Sequence, residues 1–363
     1  SPTGSTATDA VDSPRLEGSY GVTVPKLERR VVQKFGSREV LSLRYQMLRL
    51  MTVLLNSGTS ELLIQPPKII ESDMNVVTGY MPFKGFKTFY RVVGEPSDKA
   101  PLVLLHGGPG STHNYFEVLD PLAEMTHRQI IFYDQLGCGE SYVEGHPELW
   151  TLDTWMEELD QLLHYLHVSR FHLLGQSWGG MLAIAYAIEK KPEGLKSLIL
   201  SSTLPESQLW GKEQHRLITF MSEEDQRAIA EAERTGNFQS PAYLKANDHY
   251  VARHEFVIGP DTPECMSRKK RFGEEAYLVG WGPNEYNPTG TLKDFNYTPR
   301  LHEITCPTLI VSGTNDLCTP YIAKTMYDNI PNARWELFYG ARHMVFTEQT
   351  DKYLKMMAEW MKE

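Results

Sequence analysis

Three side chains in this sequence have the types and the chain order that acyl transfer needs. Ser177 sits in Gly175-Gln176-Ser177-Trp178-Gly179, a G-x-S-x-G run. An apolar stretch, FHLL, precedes it, and residues suited to a helix follow. A strand–turn–helix of this kind holds its serine in a strained conformation and lifts the hydroxyl above the edge of the sheet. A free hydroxyl is a poor nucleophile at neutral pH, so the serine needs a base. In such an elbow the carboxylate and then the histidine come later in the chain. Asp316 follows PTLIVSG in TNDLCTP, and His343 follows WELF in YGARHM. Each falls in the loop after a predicted strand. His343 is expected to take the serine proton, and Asp316 to orient the imidazole and stabilise its charged form. A lone aspartate in a turn is common. The reading rests on three residues in the required order, each after its own strand.

The oxyanion of a tetrahedral intermediate needs two donors. The backbone N–H of Trp178, next to the nucleophile, is one. The other is expected from His106-Gly107-Gly108-Pro109-Gly110, the loop after PLVLL. Gly108 is the expected donor there, and Gly107 is expected to touch substrate. His106 reads as a structural hydrogen-bonding residue, because His343 already fills the role of base. No H-E-x-x-H and no P-loop is present, and Gly137-Cys138-Gly139 continues as ESY rather than as a dinucleotide fingerprint. His254-Glu255 has metal-ligand types without a supporting pattern. Neither cofactor nor metal is expected.

The elements that must position these residues are legible as periodicities. FKTFYRVV (86–93) alternates like a strand, and PLVLLHG (101–107), QIIFYDQ (129–135), RFHLLGQ (170–176) and SLILSS (197–202) are short apolar runs. Each has the length of a buried parallel strand. Helical stretches lie between them at 151–167 and 178–191, and strands return at 307–313 and 335–340. The alternation predicts an α/β fold with a mostly parallel central sheet, helices on both faces and right-handed crossovers. Residues 206–300 break the rhythm with charged helical sequence. They are expected to form a helical cap over the carboxyl ends of the strands, where open α/β sheets bind ligands. The expected organisation is therefore a core of 78–205 and 301–363, a cap of 206–300 and an amino-terminal extension of 1–77. Within the extension, residues 37–56 carry apolar residues at helical spacing. That helix is expected to pack on the core or on a second copy of the chain.

Of 363 residues, 36 are basic and 46 acidic, a net charge of −10. This disfavours nucleic acid and anionic membranes as partners. No stretch reaches the length of a membrane span. The four cysteines contain no C-x-x-C pair and are expected to be reduced thiols in a cytoplasmic protein.

Several motifs together resemble one family. HGGPG (106–110), YDQLGCGES (133–141), GQSWGG (175–180), GPNEYNPTGTLKDF (282–295) and ARHM (341–344) are similar to segments of the prolyl aminopeptidases, or proline iminopeptidases. These are α/β-hydrolases of the group that includes the tricorn-interacting aminopeptidase. The resemblance covers about residues 78–363. It implies removal of an amino-terminal residue, often proline, from short peptides, while some similar enzymes act on amino-acid amides, arylamides or esters. It implies Ser177, Asp316 and His343 as the triad and Gly108 and Trp178 as the oxyanion hole. It further implies that cap carboxylates hold the free α-amine, with Glu285 of GPNEY as one of them. In one departure, Leu317 stands where some members carry a second acidic residue after the triad aspartate. An esterase or amidase for a small metabolite, and a binding protein on a hydrolase scaffold, stay open as alternatives.

Overall fold

A computed structural model of the chain describes residues 74–362. The helix expected at 37–56 and the rest of the extension before residue 74 lie outside the described residues. Eight strands form one sheet: β1 (Val76–Phe83), β2 (Phe86–Val93), β3 (Leu102–Leu105), β4 (Ile130–Tyr133), β5 (Phe171–Gln176), β6 (Leu195–Ser201), β7 (Thr308–Gly313) and β8 (Ala333–Phe338). Their order is β1-β2-β4-β3-β5-β6-β7-β8. β1 pairs antiparallel with β2, and β2 with β4; every later pairing is parallel. The sheet thus begins two residues before the expected boundary at 78, in a strand that the apolar pattern does not announce. β1 is an edge strand with mostly exposed side chains, and it contains Gly79 and Pro82. Both residues weaken a strand signal, and an edge tolerates them. A two-residue turn at Lys84 and Gly85, both at positive φ, closes the β1–β2 hairpin.

The inner strands β3 to β7 read as largely apolar runs because they are buried on both faces, whereas β8, at the edge, does not. On β3, Val103 and Leu105 enter one hydrophobic cluster, while Leu102 and Leu104 enter the other. The first cluster takes in α1 (Leu152–Tyr165) and α2 (Trp178–Lys190) through Trp155, Leu159, Leu182 and Ile188. The insertion between β6 and β7 carries α3 (Ser207–Ile218), α4 (Glu223–Thr235), α5 (Pro241–His254) and α6 (Glu274–Gly280). A single bridge between Glu206 and Asn296 joins its two ends. α7 (Pro320–Asn329) follows β7, and α8 (Thr350–Trp360) closes the chain, contributing Tyr353 and Met357 to the second cluster. Thr151, Ser222, Ser240 and Thr319 cap α1, α4, α5 and α7 through their side-chain oxygens, satisfying N–H groups that a helix start leaves unpaired.

All four cysteines are free. Among the described residues, no helix is long and apolar enough to cross a membrane.

Candidate active site

Ser177 lies between the end of β5 and the start of α2, with φ 54° and ψ −122°. Such a backbone is costly for a residue with a side chain, and it persists only where surroundings enforce it. Here the Ser177 N–H donates to the Ser201 carbonyl on β6 at 3.0 Å. The flanking glycines allow the sharp crossing of strand and helix. A β-carbon on Gly175 would collide with the Gly179 carbonyl, and one on Gly179 with the Leu105 carbonyl.

Asp316 and His343 come together from the loops after β7 and β8. His343 Nδ1 and Asp316 Oδ1 are 2.8 Å apart, and both side chains are buried. Asp316 also accepts from the Cys318 N–H at 3.0 Å, the Ser202 hydroxyl at 2.6 Å and the Gly313 N–H at 3.1 Å. With Nδ1 committed to the carboxylate, Nε2 is the nitrogen left for proton transfer. Burial alone would lower the His343 pKa. The hydrogen bond and charge of Asp316, together with the charges of Glu285 and Glu255, outweigh it and hold the pKa above the ordinary value. The insertion braces both loops: the His343 N–H donates to the His254 carbonyl, and His254 Nδ1 donates to the Asn315 carbonyl, each at 3.0 Å.

The N–H groups of Gly108 and Trp178 find no partner among the described residues, and both residues line one recess with Ser177. Gly107 corrects an expectation. Its N–H donates to the Tyr115 hydroxyl at 2.5 Å, and its carbonyl accepts from the Ser111 N–H at 3.2 Å. With both groups engaged, it has no free donor for substrate. The Tyr115 hydroxyl in turn donates to Gln176 Oε1 at 2.9 Å, and Gln176 Nε2 reaches the His343 carbonyl at 3.4 Å. Gln135 makes a second clamp. Its amide accepts from the Trp178 indole at 2.7 Å and donates to the His106 carbonyl at 2.9 Å, while its own N–H donates to His106 Nε2 at 3.0 Å. The glycine loop, the elbow and the histidine loop are therefore tied to one another by Tyr115, Gln176 and Gln135. Burial lowers the His106 pKa to about 4, so it stays neutral and structural. Sequence periodicity carries no trace of these ties, because each joins loops distant in the chain.

Ser177 and His343 open onto a cavity of about 530 Å³ whose far walls come from the insertion, including Asn247, Glu255, Tyr277 and Glu285. Glu285 Oε1 accepts from the Tyr277 hydroxyl at 2.8 Å. The Trp210 indole donates to the Glu285 carbonyl at 2.8 Å and packs its ring 5.8 Å from that of His343. Glu255, at the end of α5, is the acidic residue that sequence reasoning passed over. Burial raises the pKa of both carboxyls, and for Glu255 the charge of Glu285 adds to that rise. Two carboxylates facing one low-dielectric cavity repel each other, and a cation between them relieves that repulsion. Leu317, at the position of the sequence departure, is fully buried. It does not line the cavity, whereas Glu255 lines it from another element.

The alpha/beta hydrolase fold profile matches residues 100–350. Proline iminopeptidase from Clostridioides difficile (strain 630) is 59% identical over 290 residues, covering 79% of this chain and 99% of that protein. Proline iminopeptidase from Lactobacillus helveticus (strain DPC 4571) is 57% identical over 289 residues, covering 79% and 98%. The chain belongs to the proline iminopeptidase family of α/β-hydrolases. A crystal structure of the proline iminopeptidase of Mycobacterium smegmatis superposes with a TM-score of 0.70 at 30% identity, covering 78% of this chain and 97% of that one. This proline iminopeptidase family member carries the expected mostly parallel sheet with helices inserted between β6 and β7, with one strand, β1, beyond the seven that the sequence marks.

Proposed function

We propose that this chain is a serine aminopeptidase that releases an amino-terminal proline from short peptides or amino-acid amides through an acyl-enzyme on Ser177. The observation that carries the reading is the pairing of Glu255 and Glu285 in the same cavity as Ser177 and His343. The amino-terminal nitrogen of a prolyl peptide is a secondary ammonium with two N–H bonds. Two carboxylates offer one acceptor to each and hold it with charge-assisted hydrogen bonds. The pyrrolidine ring lies on the floor of the cavity beside Ser177 and Glu285, against the small notch that Trp178, Trp210 and Trp281 line. That places the scissile carbonyl at Ser177, with its oxygen toward the N–H groups of Gly108 and Trp178.

His343 takes the hydroxyl proton as Ser177 Oγ bonds to the carbonyl carbon, and the two N–H groups stabilise the oxyanion. When the C–N bond breaks, the imidazolium returns that proton to the leaving amine. Water, deprotonated by the same imidazole, then frees proline and restores the serine. Holding the amine fixes the register, so only the first peptide bond reaches Ser177. The unpaired cysteines fit a reducing compartment, and the proposed location is the cytoplasm.

The test is a panel of proline, alanine and leucine arylamides. The indole-walled floor of the cavity, with so little free space beside Ser177, should favour proline over leucine by about tenfold or more in kcat/KM. Leucine arylamide cleaved as well as or better than proline arylamide would overturn this placement of the ring.

A further inference from the structure

One charged group on the cavity wall has no part in this chemistry. Lys270 lines the main cavity with Ser177, Glu255 and Glu285, but not the small notch beside Ser177. Two nearby arginines have carboxylate partners: Arg268 pairs with Glu117 and Glu264, and Arg271 lies 3.9 Å from Glu144. Lys270 forms no ion pair among the described residues. Its Nζ sits 5.6 Å from the ring centroid of Tyr115, the residue that ties down the glycine loop. Burial lowers its pKa, and the more distant charge of Asp134 offsets this only in part.

The geometry of cleavage says what passes this group. With the acyl residue anchored at Glu255 and Glu285, the leaving group extends into the rest of the cavity, which Ile258, Met266 and Phe272 also line. The cavity wall therefore carries both signs of charge, two carboxylates and one ammonium. A free dipeptide or tripeptide has the complementary pattern, an ammonium at its start and a carboxylate at its end. A long peptide or a carboxamide lacks that carboxylate within the cavity.

We propose that Lys270 binds the terminal carboxylate of short substrates and so tunes the site to free dipeptides and tripeptides. This rests on the reading of Ser177, Glu255 and Glu285 given above. A carboxylate on the side chain of the second residue has the same chemistry, so the test must separate the two sources.

The experiment compares kcat/KM for Pro-Ala, Pro-Ala-NH2 and Pro-Glu-NH2 in the full chain and in Lys270→Met and Lys270→Arg. The full chain should prefer Pro-Ala over Pro-Ala-NH2 by about tenfold or more, the scale of one hydrogen bond to a charged partner. Lys270→Met should bring that ratio close to one, and Lys270→Arg should keep most of it. A misfolded variant lowers both rates and leaves their ratio unchanged, so the ratio distinguishes loss of the subsite from loss of the fold. No preference in the full chain, or a preference that survives Lys270→Met, overturns the proposal. Pro-Glu-NH2 cleaved as well as Pro-Ala overturns the assignment to the terminal carboxylate. Failure to cleave any of the three, together with proline arylamide, would instead refute the underlying peptidase reading.

Discussion

Asp316→Asn should lower kcat for a proline arylamide by about four orders of magnitude, with KM changed only a few-fold. The size of the effect follows from the four groups around the carboxylate. Oδ1 accepts from His343 and from the Cys318 N–H, and Oδ2 accepts from Ser202 and from the Gly313 N–H. An asparagine has one acceptor oxygen and one NH2. If the oxygen faces His343, the NH2 points at the Gly313 N–H, donor against donor. If the NH2 faces His343, Nδ1 must become the acceptor, and Nε2 then carries the proton and cannot take one from Ser177. Either arrangement also loses the charge that stabilises the imidazolium. The pH profile gives a second readout. Asp316 is the leading contribution that raises the His343 pKa against burial. The base acts when neutral, so kcat/KM falls as pH drops through that pKa. Removing the charge should move the acidic limb of the residual activity to lower pH. A loss below tenfold, or an acidic limb that moves upward, would contradict the role given to Asp316.

Glu285→Gln and Glu255→Gln should each lower kcat/KM for proline arylamide by about a hundredfold or more, the scale for removing one partner of a desolvated charge pair. Glutamine keeps the size of the side chain, and at position 285 it can still accept from Tyr277. What it lacks is the charge that holds an ammonium. Here too the direction of the pH shift is fixed. Both carboxylates raise the His343 pKa, and Glu285 raises that of Glu255. Taking away the charge at 285 lowers both remaining values, so the acidic limb should move down in pH even as the rate falls. Rates measured across pH for the two variants check this. Variants with near-native kcat/KM on a free-amine substrate would exclude these glutamates as the amine anchor.

The framework of this site was legible in the sequence because local pattern determines it. Apolar runs buried on both faces gave β3 to β7, and the glycines around Ser177 marked the place where strand and helix come close. Asp316 and His343 were found by chain order, which the fold constrains. What escaped was tertiary. Glu255 ends a helix beside His254 with no motif around it, and only the folding of α5 toward β7 and β8 brings it opposite Glu285. Leu317 leaves no acid after Asp316, and the second carboxylate on the cavity comes from a segment some sixty residues earlier. Gly107 was expected to meet substrate because it lies next to Gly108. The Tyr115 hydroxyl, eight residues on, takes its N–H instead. β1 was missed because edge pairing, rather than burial, holds most of that strand.

Amine-anchored cleavage is tested most directly by comparing proline arylamide with N-acetylproline arylamide at equal concentrations. Acetylation removes the ammonium and leaves the ring and the scissile bond in place. Turnover of the acetylated compound is expected to fall to about 1% or less of that of the free amine. Equal turnover of the two would contradict the pairing of Glu255 and Glu285 with the substrate amine.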